Sequence, residues 1–121
     1  MQANQLCAAN YHYKRYTLAA FLDAAERLGY QSIELWASGP HLHLEDYDRA
    51  DLDILARSIR AHNLTLRCFT PEQCVYAISV SHPDKAYRDR TVDFFNRHIE
   101  ASVQLGCDRM VVSTGFAYLD V

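Results

Sequence analysis

The chain has 121 residues, half of them apolar and 22% charged, a mix that builds a folded core and excludes disordered, collagen-like and supercharged classes. Twelve basic against 15 acidic side chains give a formal charge of −3, which supplies no electrostatic footprint for nucleic acid or an anionic membrane. The first ten residues carry no basic-then-apolar leader pattern, and no apolar run approaches the roughly 20 residues of a membrane span, so a soluble, cytoplasmic protein is expected.

In chain order, residues 5–9 (QLCAA) read as a short buried strand. From Thr17 the apolar period changes to that of a helix, with Leu18, Phe21, Leu22, Ala25 and Leu28 on one face, Thr17 as N-cap and Gly29 as stop. Residues 32–36 (SIELW) form a second strand, closed by Gly39-Pro40. Asp48 caps a second amphipathic helix bearing Leu52, Leu55, Ala56 and Ile59, and Asn63 ends it. Residues 64–69 (LTLRCF) make a third strand, stopped by Thr70-Pro71 and followed by a long loop to Ser81. Pro83 and Asp84 open a third helix, whose stripe runs Tyr87, Thr91, Phe94, Phe95, His98, Ile99, Ser102 and Leu105 before Gly106. Residues 109–113 (RMVVS) form a fourth strand.

Strands alternating with helices predict an α/β fold in which four parallel strands and three helices follow the order βαβαβαβ. A faint repeat supports it: Leu28 to Ile33 and Leu105 to Met110 each run from a helix end through glycine and two spacers into a strand. The four cysteines show no CxxC spacing; Cys7 and Cys68 lie in apolar runs and are expected to be buried, reduced thiols, and Cys74 falls in a loop.

Polar and special residues gather after the strands: Asn10, Tyr11 and His12; Gly39, Pro40, His41 and His43; Thr70, Pro71 and Glu72; Thr114 and Gly115. The turns leading into strands are short and plain. In parallel α/β folds the carboxyl ends of the strands hold the active site, so this enrichment marks a candidate site. Glu34, on the second strand, needs a partner if it faces an interior; a structural and a site-lining role are both open. Trp36 either fills core or forms a wall for a sugar ring, and Glu72 either caps a loop or bonds a ligand hydroxyl. The His41/His43 pair is a weak metal motif, while His62 and His98 read as structural. Dinucleotide, nucleoside-triphosphate, serine-hydrolase and zinc-protease motifs are absent.

The combination of Leu28-Gly29-Tyr30, Ile33-Glu34-Leu35-Trp36, Pro40-His41 and Thr70-Pro71-Glu72 resembles the xylose-isomerase-like TIM-barrel superfamily, and more narrowly its fructoselysine 3-epimerase branch. The resemblance covers Gln5 to Ala117 and only the first half of that family's length. It implies the N-terminal half of a (β/α)8 barrel, with residues 1–121 as a partial domain and the remainder absent. It further implies a divalent metal (Mn, Co or Ni) held by two glutamates, an aspartate and a histidine beyond residue 121. The two glutamates would move the proton at the inverted carbon through an enediolate. No catalytic or metal residue is then expected within this chain. The substrate wall is assigned to Asn10, His12, Trp36, His41 and Glu72.

The leading expectation is a ketose 3-epimerase acting on a sugar or sugar-derived amine, with no nucleic-acid or membrane partner and a homo-oligomeric state. Four strands cannot close an eight-stranded barrel, so residues 1–121 alone are expected to be inactive. The alternatives are an inosose dehydratase, a hydroxypyruvate isomerase or an abasic-site endonuclease on the same fold, or a non-catalytic half-barrel that dimerises.

Overall fold

The computed structural model describes residues 3–74 and 76–115. Six regular elements follow one another: β1 (Ala8–Ala9), α1 (Leu18–Arg27), β2 (Ser32–Ala37), α2 (Arg49–Ala61), β3 (Thr65–Pro71) and α3 (Lys85–Gln104). The strands form one parallel sheet in the order β1-β2-β3, the arrangement that alternating βα units require. The fold is therefore α/β, with three parallel strands and three helices in alternation.

The fourth predicted strand is a single parallel bridge, Met110 to Phe69, with Phe69 N–H donating to Arg109 O and Val111 N–H donating to Phe69 O. Beyond it a side chain replaces the ladder. Gln73 Nε2 donates to Val111 O at 3.0 Å and Gln73 Oε1 accepts from Ser113 N–H, so one amide takes both bonds that a strand would have made. The first strand is likewise shorter than expected, two residues flanked by 3-10 turns at Ala3–Gln5 and Asn10–Tyr13. Phe116 and Ala117, the last residues of the resemblance, lie outside the described residues.

Each helix begins and ends on the chemistry its sequence carries. Thr17 Oγ1 accepts from Ala20 N–H, Asp84 from Ala86 N–H, and Asp48 forms a reciprocal capping box with Asp51. All three C-termini close with paired bonds from the first and second residues past the cap. Gly29 to Glu26 with Tyr30 to Ala25, Asn63 to Arg60 with Leu64 to Ile59, and Gly106 to Val103 with Cys107 to Ser102 share this pattern. It needs a left-handed residue, supplied by Gly29 (φ 80°), Asn63 (φ 58°) and Gly106 (φ 77°).

The core lies between the sheet and the helices. Ile33, Leu35 and Phe69 are fully buried against Phe21 and Leu22 of α1 and Leu55, Ala56 and Ile59 of α2. Each such side chain contributes about 1.5–3 kcal/mol by leaving water. The expected stripes hold with three exceptions. Leu28 is 67% exposed, because it is the C-cap where the chain turns away, and Ala24 is buried in its place. Ile99 is exposed because the buried face of α3 passes through Thr91, Phe95, His98 and Ser102. Cys7 is exposed, because it precedes the short first strand, and its Sγ meets Ser32 Oγ at 3.1 Å. Cys68 is half-buried, Cys107 is buried, and all four cysteines are free thiols.

Candidate functional site

The parallel register divides the strand side chains between two faces. Ile33, Leu35 and Ala37 enter the core, whereas Glu34 and Trp36 are half-buried on the opposite face. Across the ladder Glu34 pairs with Cys68 and Trp36 with Thr70, so these four share that face toward the carboxyl ends of the strands. A register shift at Ile33/Glu34 sets this alignment. Thr70 Oγ1 donates to Glu34 Oε1 at 2.6 Å, a short bond to a carboxylate that fixes the acid on the open face. Burial pushes the Cys68 thiol up, opposed by its contact with Thr70 and reinforced by the Glu34 charge.

Aromatic groups frame this acid. Tyr11 lies with its ring centroid 5.0 Å from that of Trp36 and 5.4 Å from His12, to which it is edge-on. Tyr11 and His12 are both exposed, and the Lys14 ammonium stands 5.3 Å from the Tyr11 ring.

A buried clamp holds that frame. Asn10 is completely buried; its Oδ1 accepts from Trp36 N–H at 2.7 Å and its Nδ2 donates to Trp36 O at 3.1 Å. The side-chain amide thus carries the β1–β2 ladder one step past the end of β1, as Gln73 does beyond β3. Asn10 Nδ2 also meets His41 Nδ1 at 2.8 Å, and His41 Nε2 meets Tyr16 O at 2.9 Å. Because the amide N–H can only donate and the carbonyl can only accept, Nδ1 accepts and Nε2 donates. Tyr47 closes the unit, its hydroxyl donating to His41 O at 2.9 Å. Burial, then the charges of Asp51 and Asp46, push the Tyr47 phenol up, which keeps it a donor.

The five residues assigned to the substrate wall therefore divide. Trp36 stands at the open face against Tyr11, while His12, edge-on to Tyr11, is exposed beside Tyr16 and the α1 residues Ala20 and Asp23. Asn10 and His41 are 0% and 2% exposed with their polar atoms already bonded, so they position Trp36 rather than meet a ligand. Glu72 is buried on the next loop, where its Oε1 accepts from Cys74 N–H, the loop-capping alternative. The paired histidines part company: His41 enters the clamp, while His43 lies beside Glu45 and the Tyr76 ring. Among the described residues no group of three or more His, Cys, Asp or Glu can hold a metal ion.

Sequence reasoning placed Tyr11 and Thr70 in the right loops without giving them a role, and it missed Gln73. The register was the missing signal, since only pairing shows that Thr70 reaches Glu34.

A parallel α/β sheet with polar and aromatic groups at its carboxyl ends defines the class of parallel α/β proteins in which the loops after the strands carry the site. Within that class the chain belongs to the xylose isomerase-like TIM barrel family, whose model matches residues 22–120. It is 24% identical over 98 residues to fructoselysine 3-epimerase of Shigella flexneri, covering 81% of this chain and 35% of that protein. Among solved structures, D-psicose 3-epimerase in the presence of D-fructose aligns with TM-score 0.68 and 18% identity over 87% of this chain and 36% of its own. An AP endonuclease of family 2 from Brucella melitensis aligns with TM-score 0.56 and 20% identity, over 86% of this chain and 38% of its own. This chain thus spans about a third of the length of the curated relative it matches.

Proposed function

We propose that residues 1–121 supply the substrate wall of a ketose 3-epimerase that acts on a sugar or sugar-derived amine by proton abstraction and return through an enediolate. The observation that carries this reading is the Tyr11–Trp36 pair beside the Thr70-fixed Glu34 carboxylate on one face of the strand ends. Sugar C–H faces stack on such rings while carboxylates and imidazoles bond their hydroxyls. Trp36 and Tyr11 bind the carbon skeleton, His12 bonds a hydroxyl from the mouth, and Glu34 accepts from another. The similarity to fructoselysine 3-epimerase supports the substrate class.

The described residues do not fit a metal site, and Glu34 and Glu72 are each engaged by Thr70 and Cys74. A divalent metal (Mn, Co or Ni) and the proton-transferring groups belong, in this reading, to residues beyond 121. The protein is read as cytoplasmic and homo-oligomeric; no helix among the described residues is long and apolar enough to cross a membrane.

The test is a substrate panel on the intact protein with added Mn²⁺: ketoses, fructosamines, an inosose and hydroxypyruvate. Epimerisation of a ketose or fructosamine is expected. Turnover of the inosose or hydroxypyruvate alone would replace this reading with the corresponding relative.

A further inference from the structure

A second cavity lies on the helix side of the sheet, away from the open face. It has a volume of about 310 Å³, within the range that takes a small organic molecule. Its walls come from the loop after β2, the loop after β3 and the middle of α3, with Leu44, Ile78 and Phe94 forming apolar sides. None of the Glu34, Trp36 and Tyr11 group lines it.

The polar groups differ between its depth and its mouth. His98 lines the cavity while only 5% exposed, sandwiched between Phe94 (centroids 4.1 Å) and Phe69 (6.0 Å). Its Nδ1 stands 2.8 Å from Phe94 O, and a carbonyl only accepts, so Nδ1 bears the proton. Burial pushes the imidazole below its ordinary value, against the Phe94 bond and with help from Arg97 and His43. Nε2 is then a lone-pair acceptor, and no described residue donates to it. The other buried polar group is spent: Thr91 Oγ1 donates to Tyr87 O and accepts from Ser79 N–H.

The mouth is cationic. Arg90 and Arg97 line it, Arg90 being stacked over the Tyr87 ring at 4.6 Å. The one carboxylate there, Glu45, lies 3.6 Å from Arg97 and 3.8 Å from His43 in exposed pairs, which contribute little and yield readily to another anion.

We propose that this cavity binds a small hydroxylated organic acid, its hydroxyl donating to His98 Nε2, its apolar body against Phe94 and Ile78, and its carboxylate between Arg90 and Arg97. A phosphate lacks the apolar body, and a neutral sugar lacks the charge. The site is independent of the epimerase reading, because its occupancy is read by binding alone.

The test titrates the isotope-labelled protein with 4-hydroxybenzoate, followed by the His98 imidazole and Phe94 ring resonances. Parallel titrations use benzoate, 4-hydroxybenzyl alcohol and inorganic phosphate. Saturable shifts at His98 and Phe94 are expected with 4-hydroxybenzoate, with benzoate and the alcohol each about tenfold weaker and phosphate weaker still. R90Q/R97Q is expected to weaken 4-hydroxybenzoate about tenfold while leaving 4-hydroxybenzyl alcohol binding unchanged. H98F is expected to erase the preference for 4-hydroxybenzoate over benzoate. Absence of saturable shifts at His98, shifts confined to Trp36, or full affinity in the arginine variant would each overturn the proposal.

Discussion

Replacing Asn10 by alanine removes three side-chain bonds that tie the end of β1 to Trp36 and to the His41 loop, beyond the backbone ladder. The side chain is fully buried, so His41 Nδ1 loses its partner in the interior, and Trp36 N–H and C=O lose theirs at its half-buried edge. A buried group left unsatisfied costs about 1–3 kcal/mol, so N10A should lose about 3–5 kcal/mol, a large part of a stability of about 5–15 kcal/mol. Urea unfolding, followed by Trp36 fluorescence and by far-ultraviolet dichroism, measures the loss. N10D provides a control, because aspartate can accept from Trp36 N–H yet sets a carboxylate oxygen against Trp36 O and His41 Nδ1. It should rescue no more than the Trp36 N–H bond. A loss below about 1 kcal/mol in N10A, or near-native stability in N10D, would show that the amide is not the link between these elements.

Three further outcomes are expected. D48A should cost about 1 kcal/mol in the urea midpoint through loss of the α2 capping box, and D48N less. The His98 value is lowered on folding, so the unfolded chain binds that proton more readily; this contribution is full above 6.5 and falls as the pH drops below it toward the folded value. His62 runs the other way, raised first by its Ser58 bond and then by Asp23 against burial, so its contribution is complete below 6.5 and is lost as the pH rises through the folded value. Below 6.5 the urea midpoint should therefore rise with pH less steeply in H98F, and above 6.5 it should fall with pH less steeply in H62A. If the proposed function holds, W36L in the intact protein should raise KM for the ketose about tenfold with a smaller change in kcat, because the ring would bind substrate without touching the reacting bond.

Most of the fold was legible because local chemistry and global topology agree. Thr17, Asp48, Gly29, Asn63 and Gly106 announce helix ends, and each makes the bond its residue type suggests. The ends of the outer strands were not legible. Asn10 and Gln73 continue ladders with side chains, and an amide that imitates a peptide leaves no mark in apolar periodicity. The site was half legible for the same reason. Trp36 and His12, picked out by their place after strands, are accessible, whereas Asn10 and His41 in the same loops are buried supports. Loop position told which residues gather but not which of them face inward. Glu34 became interpretable only with Thr70, its neighbour across the sheet.

The central claim is that this chain forms the substrate wall of a ketose 3-epimerase. The most direct measurement incubates the intact protein with Mn²⁺ and D-fructose or fructoselysine in D₂O and follows deuterium at C3. The account predicts the C3 epimer with solvent deuterium at that carbon, slowed at low substrate by W36L, and no epimer from residues 1–121 alone. Loss of water from the substrate, DNA cleavage in place of epimerisation, or a C3 position that never exchanges would contradict it.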